Sequence, residues 1–422
     1  MSAAPPVGID GLNVYCGVAQ IPVPDLFAGR GLDAARLDNL MMRSRSVGLP
    51  CEDPVTNAVN AARPLLDALT SQQRDRIEVL VTATESGLDY SKSLASYVHE
   101  YLGLGRRCRL LEVKQACYAA TGALQLAAGY VASGVSPGAR VLVIATDVSL
   151  VDARAGYAEP AMGHGSAALL VGAEPRLLTL DPGAFGLHSY ETLDSARPAP
   201  TFDIADSDRS LFTYLDCLTQ AFGHYAEVVE GADFVTTFDH LLMHTPFAGM
   251  VRAGHRKLMR EAGIHDPAAV DADFARRVLP GLEYPRQVGN LCAGSVYLAL
   301  AGLLESLDPA AVSGGARVGL YSYGSGCSAE FFSGTVDERS VASAAAGVVR
   351  DGIAARAGLG FDEYVELTRA ARDCLVPMES HTVDVDRYAP VLSRYAGKRE
   401  LLVFTGISGY HRRYEWTTAG RG

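Results

Sequence analysis

The segment Lys114-Gln115-Ala116-Cys117-Tyr118-Ala119-Ala120-Thr121-Gly122 sets a cysteine between an apolar run and a stretch rich in Ala, Leu and Gly. That order predicts a strand, a tight junction and the first turn of a buried helix. The positive end of a helix favours a thiolate, and its free N–H groups can hold a developing oxyanion. Cys117 thus has the setting of an acyl-accepting nucleophile, although a buried structural cysteine fits the same residues. Glu85 directly follows the apolar run 79–83. Strand ends are where α/β sheets present functional groups, and burial there raises a carboxylate toward the range of general acid–base catalysis. A solvated loop glutamate is the competing reading. His244 likewise ends the apolar run 241–243 and precedes Pro246; alone, it is as well explained by a core histidine bonded to backbone. Asn290, in Gly289-Asn290-Leu291-Cys292, is either a helix N-cap or a donor to a substrate carbonyl. Ser325 sits in Tyr323-Gly324-Ser325-Gly326-Cys327, a turn whose glycines would let backbone approach a ligand closely. No Gly-Lys-Ser/Thr follows it, so it is not a phosphate-binding loop.

The elements that must position these residues alternate. Ile77–Ala83, Arg109–Val113, 141–145 and 167–171 read as buried strands, and 53–68, 91–102 and Ala119–Ala132 as helices between them. The second half repeats the layout. Cys117 opens a small-residue helix followed by Gly138-Ala139-Arg140 and a strand; Cys292 opens another, expected over 291–304, followed by Gly315-Ala316-Arg317 and the strand 318–321. Apolar residues 234–238 and a run at 330–335 complete this half. An internal duplication follows, giving an α/β fold layered α/β/α/β/α, with one half at 1–175 and the other at 176–422. Residues 176–208 show little regular pattern and are expected to link the halves.

The chain has 422 residues, 48% of them apolar and 20% charged, with a net charge of −11. That supports a sizeable core and argues against a nucleic-acid-binding body. Eight cysteines form no CxxC pair and stand near no histidines at metal-ligand spacing. Free thiols in a reducing cytoplasm are the expectation. The N-terminus shows no signal-peptide pattern, and no apolar run has the length of a membrane span.

Taken together, the Glu85 loop, Lys114-Gln115-Ala116-Cys117-Tyr118, His244-Thr245-Pro246-Phe247, Gly289-Asn290 and Tyr323-Gly324-Ser325-Gly326 resemble the 3-hydroxy-3-methylglutaryl-CoA synthase family of the thiolase superfamily. The resemblance runs from Val7-Gly8-Ile9-Asp10 to Gly409-Tyr410-His411-Arg412-Arg413-Tyr414-Glu415. It implies the thiolase fold, a homodimer and a triad of Cys117 as nucleophile, Glu85 as general acid/base and His244 at the acceptor. Asn290, Ser325 and Tyr157 are implied as substrate-binding. The implied reaction takes acetyl onto Cys117, removes a methyl proton and adds the enolate to a β-ketoacyl thioester. It requires no metal, nicotinamide or flavin; a phosphopantetheine thioester, on an acyl carrier protein or CoA, is substrate.

Within that family the polyketide β-branching synthases, which use acyl carrier proteins for donor and acceptor, are the better likeness. Cys327-Ser328-Ala329-Glu330-Phe331-Phe332-Ser333-Gly334 resembles that branch, and Gly249 stands where CoA-using members usually carry a Lys serving CoA phosphates. Arg252, Arg256 and Arg260 recur at i, i+4 and i+8, with His255 and Lys257 beside them. One helix face would align them as a docking patch for an acidic carrier or its phosphopantetheine, or as an ordinary solvated face; Arg30 is a further candidate for the same job. Three rivals remain: a CoA-using synthase, a decarboxylating ketoacyl synthase, against which Glu85 argues, and a non-catalytic subunit that binds acyl carriers.

Overall fold

The computed structural model describes residues 6–149, 153–344, 347–396 and 399–417. The N-terminal half supplies β1 (Gly8–Tyr15), α1 (Val23–Arg30), α2 (Pro54–Asp67), β2 (Ile77–Ala83), α3 (Ala95–Leu102), β3 (Arg109–Val113), α4 (Ala119–Ala132), β4 (Arg140–Asp147) and β5 (Gly165–Gly172). The C-terminal half supplies β6 (Leu178–Ser189), β7 (Ser195–Ala199), β8 (Phe202–Ala205), α5 (Ser207–Val228), β9 (His240–Met243), α6 (Ala248–Glu261), α7 (Ser295–Ser306), β10 (Ala316–Gly324) and β11 (Ser328–Val336).

Nine strands join in the order β9-β10-β11-β6-β1-β5-β4-β2-β3. Within it the duplication is explicit. β2 and β4 are parallel, β4 and β5 antiparallel, and β5 and β1 antiparallel. β9 and β10 are parallel, β10 and β11 antiparallel, and β11 and β6 antiparallel. Within the nine-stranded sheet, the strands of the two halves are joined where β1 pairs β6, through Gly8↔Thr179 and Ile9↔Leu178.

Side-chain alternation along these strands sorts the layers. Val79, Val81, Val141 and Val143 from one half, and Val318, Leu320 and Phe332 from the other, share one core with α4 and α7. Leu80, Leu142 and Ile144 point the other way, onto α2 and α3. Tyr321, Tyr323 and Phe331 pack beneath α5 and α6. The order is therefore α/β/α/β/α, as expected. The central layer can fit because α4 presents Ala119, Ala120, Ala123 and Ala127 to the core and α7 is buried from Ser295 to Leu304.

Two expectations need correction. The stretch 176–208 is not a patternless linker: it holds the twelve-residue β6 and the hairpin β7–β8. The signal was hidden because Asp181-Pro182-Gly183 interrupts the strand at a register shift, and because β6 is only half covered. The helix expected over 291–304 begins at Ser295, after a 3₁₀ turn at Cys292–Gly294. Among the described residues no helix is long and apolar enough to cross a membrane. All eight cysteines are free thiols.

The closing hairpin (Leu402–Ser408, His411–Trp416) is tied to the N-terminus of α2. Asp53 caps α2 by accepting from Val55 N and Thr56 N, with Pro54 at the first helical position. Its second oxygen takes Arg412 Nη1 at 3.0 Å and Tyr414 OH at 2.7 Å, all buried. Removing one partner of a buried ion pair costs about 3–5 kcal/mol. Arg412→Ala is expected to lose that much on denaturant unfolding, and an unchanged midpoint would show that the pair contributes nothing.

Candidate active site

A cavity of 590 Å³ opens where the two halves face each other, and Glu85, Cys117, His244, Asn290, Cys292 and Ser325 all line it. Cys117 lies in the junction between β3 and α4, two residues before the helix. Ala116, immediately before it, takes a left-handed φ of 44°, a conformation that costs energy and is found at functional sites. Gly324 holds this junction from the opposite half: a Cβ there would meet Gln115 O at 2.4 Å and Tyr118 N at 2.5 Å. The glycine is thus needed for approach to the backbone on either side of Cys117, where approach to ligand was the expectation.

Glu85 is fixed by the residue that ends the neighbouring strand. Asp147 Oδ1 accepts from Thr84 Oγ1 at 3.0 Å, Glu85 N at 2.9 Å and Ser86 Oγ at 3.1 Å. Asp147 Oδ2 has no hydrogen-bond partner among the described residues. Arg197, from β7, places its guanidinium 3.8 Å from Glu85 Oε1, donates to Ser86 Oγ at 2.9 Å and grips Asp203 of β8 at 2.6 and 2.9 Å. Burial raises the Glu85 carboxyl above its ordinary value, the Arg197 cation opposes that rise, and Asp203 adds to it. Burial together with the Glu85 charge pushes Asp147 up to about 8.

Cys292 completes the group. Its Sγ lies 3.6 Å from Glu85 Oε1, and Cys117 Sγ, Cys292 Sγ and a Glu85 oxygen all fall within 4.8 Å of one another. The Cys292 hydrogen bond favours the Cys117 thiolate, but burial and the negative charges of Glu85, Asp147 and Asp194 outweigh it and hold the Cys117 thiol above its usual value. These carboxylates oppose the thiolate stabilisation expected from a helix start, and α4 begins two residues after Cys117.

His244 follows β9, donates its N–H to Tyr321 O at 2.7 Å and accepts from Tyr214 OH at 2.9 Å through its carbonyl. Burial lowers its imidazole to about 3, so the ring is neutral at physiological pH. Asn290 makes the capping contact and also lines the cavity. Its Oδ1 accepts from Cys292 N at 2.9 Å and Ser295 Oγ at 2.7 Å, a cap on the 3₁₀ turn, and the amide –NH₂ is what remains to face the cavity it lines.

Other expected residues fall elsewhere. Tyr157 is not among the cavity-lining residues; its ring lies 5.9 Å from Phe27 and under the Arg36 guanidinium at 4.2 Å, and its OH accepts from Asp33 N. Its neighbours Ala158 and Glu159 line the cavity instead. Arg30 is not a free cation: it holds Glu159 through two bonds of 2.8 Å. On α6, Arg252 pairs with Asp271 and Lys257 with Glu261, and His255 is buried on Asp273 at 2.8 Å. Only Arg256 and Arg260 are exposed without an ion pair among the described residues. Sequence reasoning missed Asp147 and Arg197. Asp147 carries the same mark as Glu85, a carboxylate at the end of an apolar strand, whereas Arg197 lies in a Pro/Ala-rich piece with no pattern around it.

The comparisons with known proteins follow this geometry. The model of the hydroxymethylglutaryl-coenzyme A synthase N-terminal region matches residues 5–176, and that of its C-terminal region matches 266–371. The chain is 42% identical over 419 residues to the polyketide biosynthesis 3-hydroxy-3-methylglutaryl-ACP synthase PksG of Bacillus subtilis, covering 97% of this chain and 99% of the relative. The hydroxymethylglutaryl-CoA synthase of Enterococcus faecalis is 33% identical over 330 residues, 78% of this chain and 82% of that one. Superposition on the crystal structure of the curacin biosynthetic pathway HMG synthase gives a TM-score of 0.93 at 43% identity, with 98% and 100% of the two chains covered. The layered, duplicated body is the thiolase fold of these synthases, and the chain belongs to the hydroxymethylglutaryl-CoA synthase family.

Proposed function

We propose that the protein is the hydroxymethylglutaryl synthase of a polyketide β-branching system, joining acetyl from an acyl carrier protein to the β-carbonyl of a carrier-bound β-ketoacyl chain. The observation that carries this reading is the convergence of Cys117, Glu85, His244 and Asn290 on one cavity between the duplicated halves.

Cys117 attacks the donor thioester and becomes acetylated. Because its thiol is held above the usual value, the proton must leave during attack; the Glu85 carboxylate, within 4.8 Å of the sulfur, is placed to take it. Glu85 hands that proton to the departing phosphopantetheine thiolate, then removes a proton from the acetyl methyl and returns it to the alkoxide formed at the acceptor β-carbon. The enolate carbon attacks the acceptor β-carbonyl, where the neutral His244 imidazole and the Asn290 amide polarise the oxygen. Water finally cleaves the Cys117 thioester and frees the new carboxylate. Side chains carry every step, and the phosphopantetheine arm comes with the substrate. Ser325 lines the same cavity.

Carrier protein is favoured over CoA by the surroundings of Gly249. A Cβ there would sit 1.8 Å from Asn39 O, so the backbone fills the place a CoA-binding lysine would need. Among the relatives, PksG is described as an ACP synthase, and the curacin enzyme has been solved with acetyl donor-ACP. The CoA reading is supported by the 33% identity to the Enterococcus faecalis hydroxymethylglutaryl-CoA synthase and by the likeness to MvaS, solved in complex with 3-hydroxy-3-methylglutaryl coenzyme A, at 30% identity and a TM-score of 0.84. A homodimer is the assembly proposed: β3 ends the sheet with Leu111 52% exposed, and α4 beside it leaves Leu126 71% exposed. The free thiols are consistent with a cytoplasmic home.

Acetyl-carrier protein is expected to give the higher kcat/KM when compared with acetyl-CoA in steady state; a preference for acetyl-CoA would reverse the choice of donor. Arg256→Glu with Arg260→Glu should lower kcat/KM for the carrier by roughly tenfold, chiefly through encounter, and leave the acetyl-CoA rate and Tm unchanged. Equal loss with both donors would remove α6 from the docking surface. Because Glu85 must be deprotonated and burial raises its pKa, the acid limb of kcat/KM against pH should lie above the ordinary glutamate range. Arg197→Met removes the opposing cation, so the limb should move further up. An unmoved limb would assign the ionisation to another group.

A further inference from the structure

Cys292 has no part in the steps above, yet its sulfur stands beside both groups that do the chemistry. We propose that Cys292 is the resolving thiol of Cys117, so that oxidation of the nucleophile by a peroxide ends in a reversible Cys117–Cys292 disulfide.

The geometry carries this. A disulfide needs its sulfurs at about 2.05 Å, and the two Sγ atoms lie within 4.8 Å, so closure takes a combined shift of no more than about 3 Å. Neither cysteine is locked inside a regular helix. Cys117 precedes α4, and Cys292 begins the 3₁₀ turn before α7 with a left-handed φ of 49°. They occupy matching places in the duplicated halves, which is why they face each other across the cavity. Access is unequal: Cys117 is half-buried on the open cavity, whereas Cys292 is only 2% exposed. A small oxidant therefore meets Cys117 first and leaves Cys292 as an intact thiol next to it.

The chemistry balances in two steps. The Cys117 sulfur attacks one oxygen of hydrogen peroxide; the O–O bond breaks, Cys117 becomes a sulfenic acid, and the departing hydroxide leaves as water with the thiol proton. The Cys292 sulfur then attacks the Cys117 sulfur; the S–S bond forms, the S–O bond breaks, and hydroxide leaves as water with the second thiol proton. Two thiols lose two electrons and two protons, and one peroxide becomes two waters. Glu85, within reach of both sulfurs, accepts and returns the protons. The disulfide blocks the nucleophile and spares it from irreversible sulfinic oxidation. That the locked form is inactive rests on the proposed role of Cys117; formation of the disulfide does not.

The reduced full-length protein is treated with hydrogen peroxide, alkylated, digested with trypsin and mapped by mass spectrometry. Cys117 falls in the peptide 115–140 and Cys292 in 287–317, each the sole cysteine of its peptide. The expected product is these two peptides linked, about 2 Da lighter than their sum, released by dithiothreitol together with recovery of acetyl transfer. Cys292→Ser should instead gain about 32 Da on Cys117 and not recover. The proposal is overturned if wild-type Cys117 reaches the sulfinic acid while Cys292 stays alkylatable. It is also overturned if the only new link joins Cys217 and Cys327, a buried pair whose sulfurs lie 3.5 Å apart. A linked, dithiothreitol-reversible protein whose acetyl transfer was never lost would leave the disulfide standing and count against the role of Cys117.

Discussion

The structure depends on one packing constraint: α4 and α7 must lie together between the two halves of the nine-stranded sheet. Helices so enclosed cannot carry large side chains on every face, and the alanines of α4 let the layers close around them. Once the two helices are stacked as copies of one another, the segments that lead into them must meet. That meeting brings Cys117 from one half and Asn290 and Cys292 from the other to a common cavity wall. The ends of β2 and β4 arrive at the same level because they are adjacent parallel strands, and they deliver Glu85 and Asp147 together. The site is thus a consequence of duplication and close packing, with the chemistry written into a few loop residues.

Electrostatics then decides how that site can work. Two carboxylates stand close together in a buried place, with Arg197 against Glu85 and Lys114 adding a second positive charge. Burial and mutual repulsion favour their neutral forms, and the same negative field holds the Cys117 thiol protonated. A nucleophile that is not ionised in advance must lose its proton as it attacks, which ties thiol chemistry and carboxylate chemistry into one unit. Arg197 reaches this unit from the β7–β8 hairpin, where it is anchored by Asp203. The basicity of Glu85 is therefore set in part by a segment outside both duplicated sheets.

Much of this was legible in the sequence. β2, β3 and α4 were readable to the residue because their apolar runs end in clear breaks, and the repeat of helix, linker and strand disclosed the two halves. Cys117, Glu85 and His244 were visible because each follows a strand. What escaped was long-range. β6 was masked by Asp181-Pro182-Gly183, and its pairing to β1, which joins the halves, has no local signature. Arg197 has meaning only through Ser86 and Asp203, 111 and 6 residues away in sequence. The basic repeat on α6 read as three aligned arginines with His255 and Lys257 beside them, but the acids that neutralise Arg252 and Lys257 could not be assigned before the fold was known. Tyr157 came from family likeness and Arg30 as a further candidate for carrier binding, and the structure gives them to a cluster with Phe27 and Arg36 and to Glu159.

The reaction proposed for this site requires that Cys117 carry the acetyl group on its way to the acceptor. The most direct test is intact-protein and peptide mass spectrometry after brief incubation with an acetylated carrier protein and no acceptor. The account predicts one acetyl group, about 42 Da, on the peptide 115–140 and its discharge when a β-ketoacyl carrier is added. No label, or label on the Cys292 peptide with Cys117 free, would contradict it.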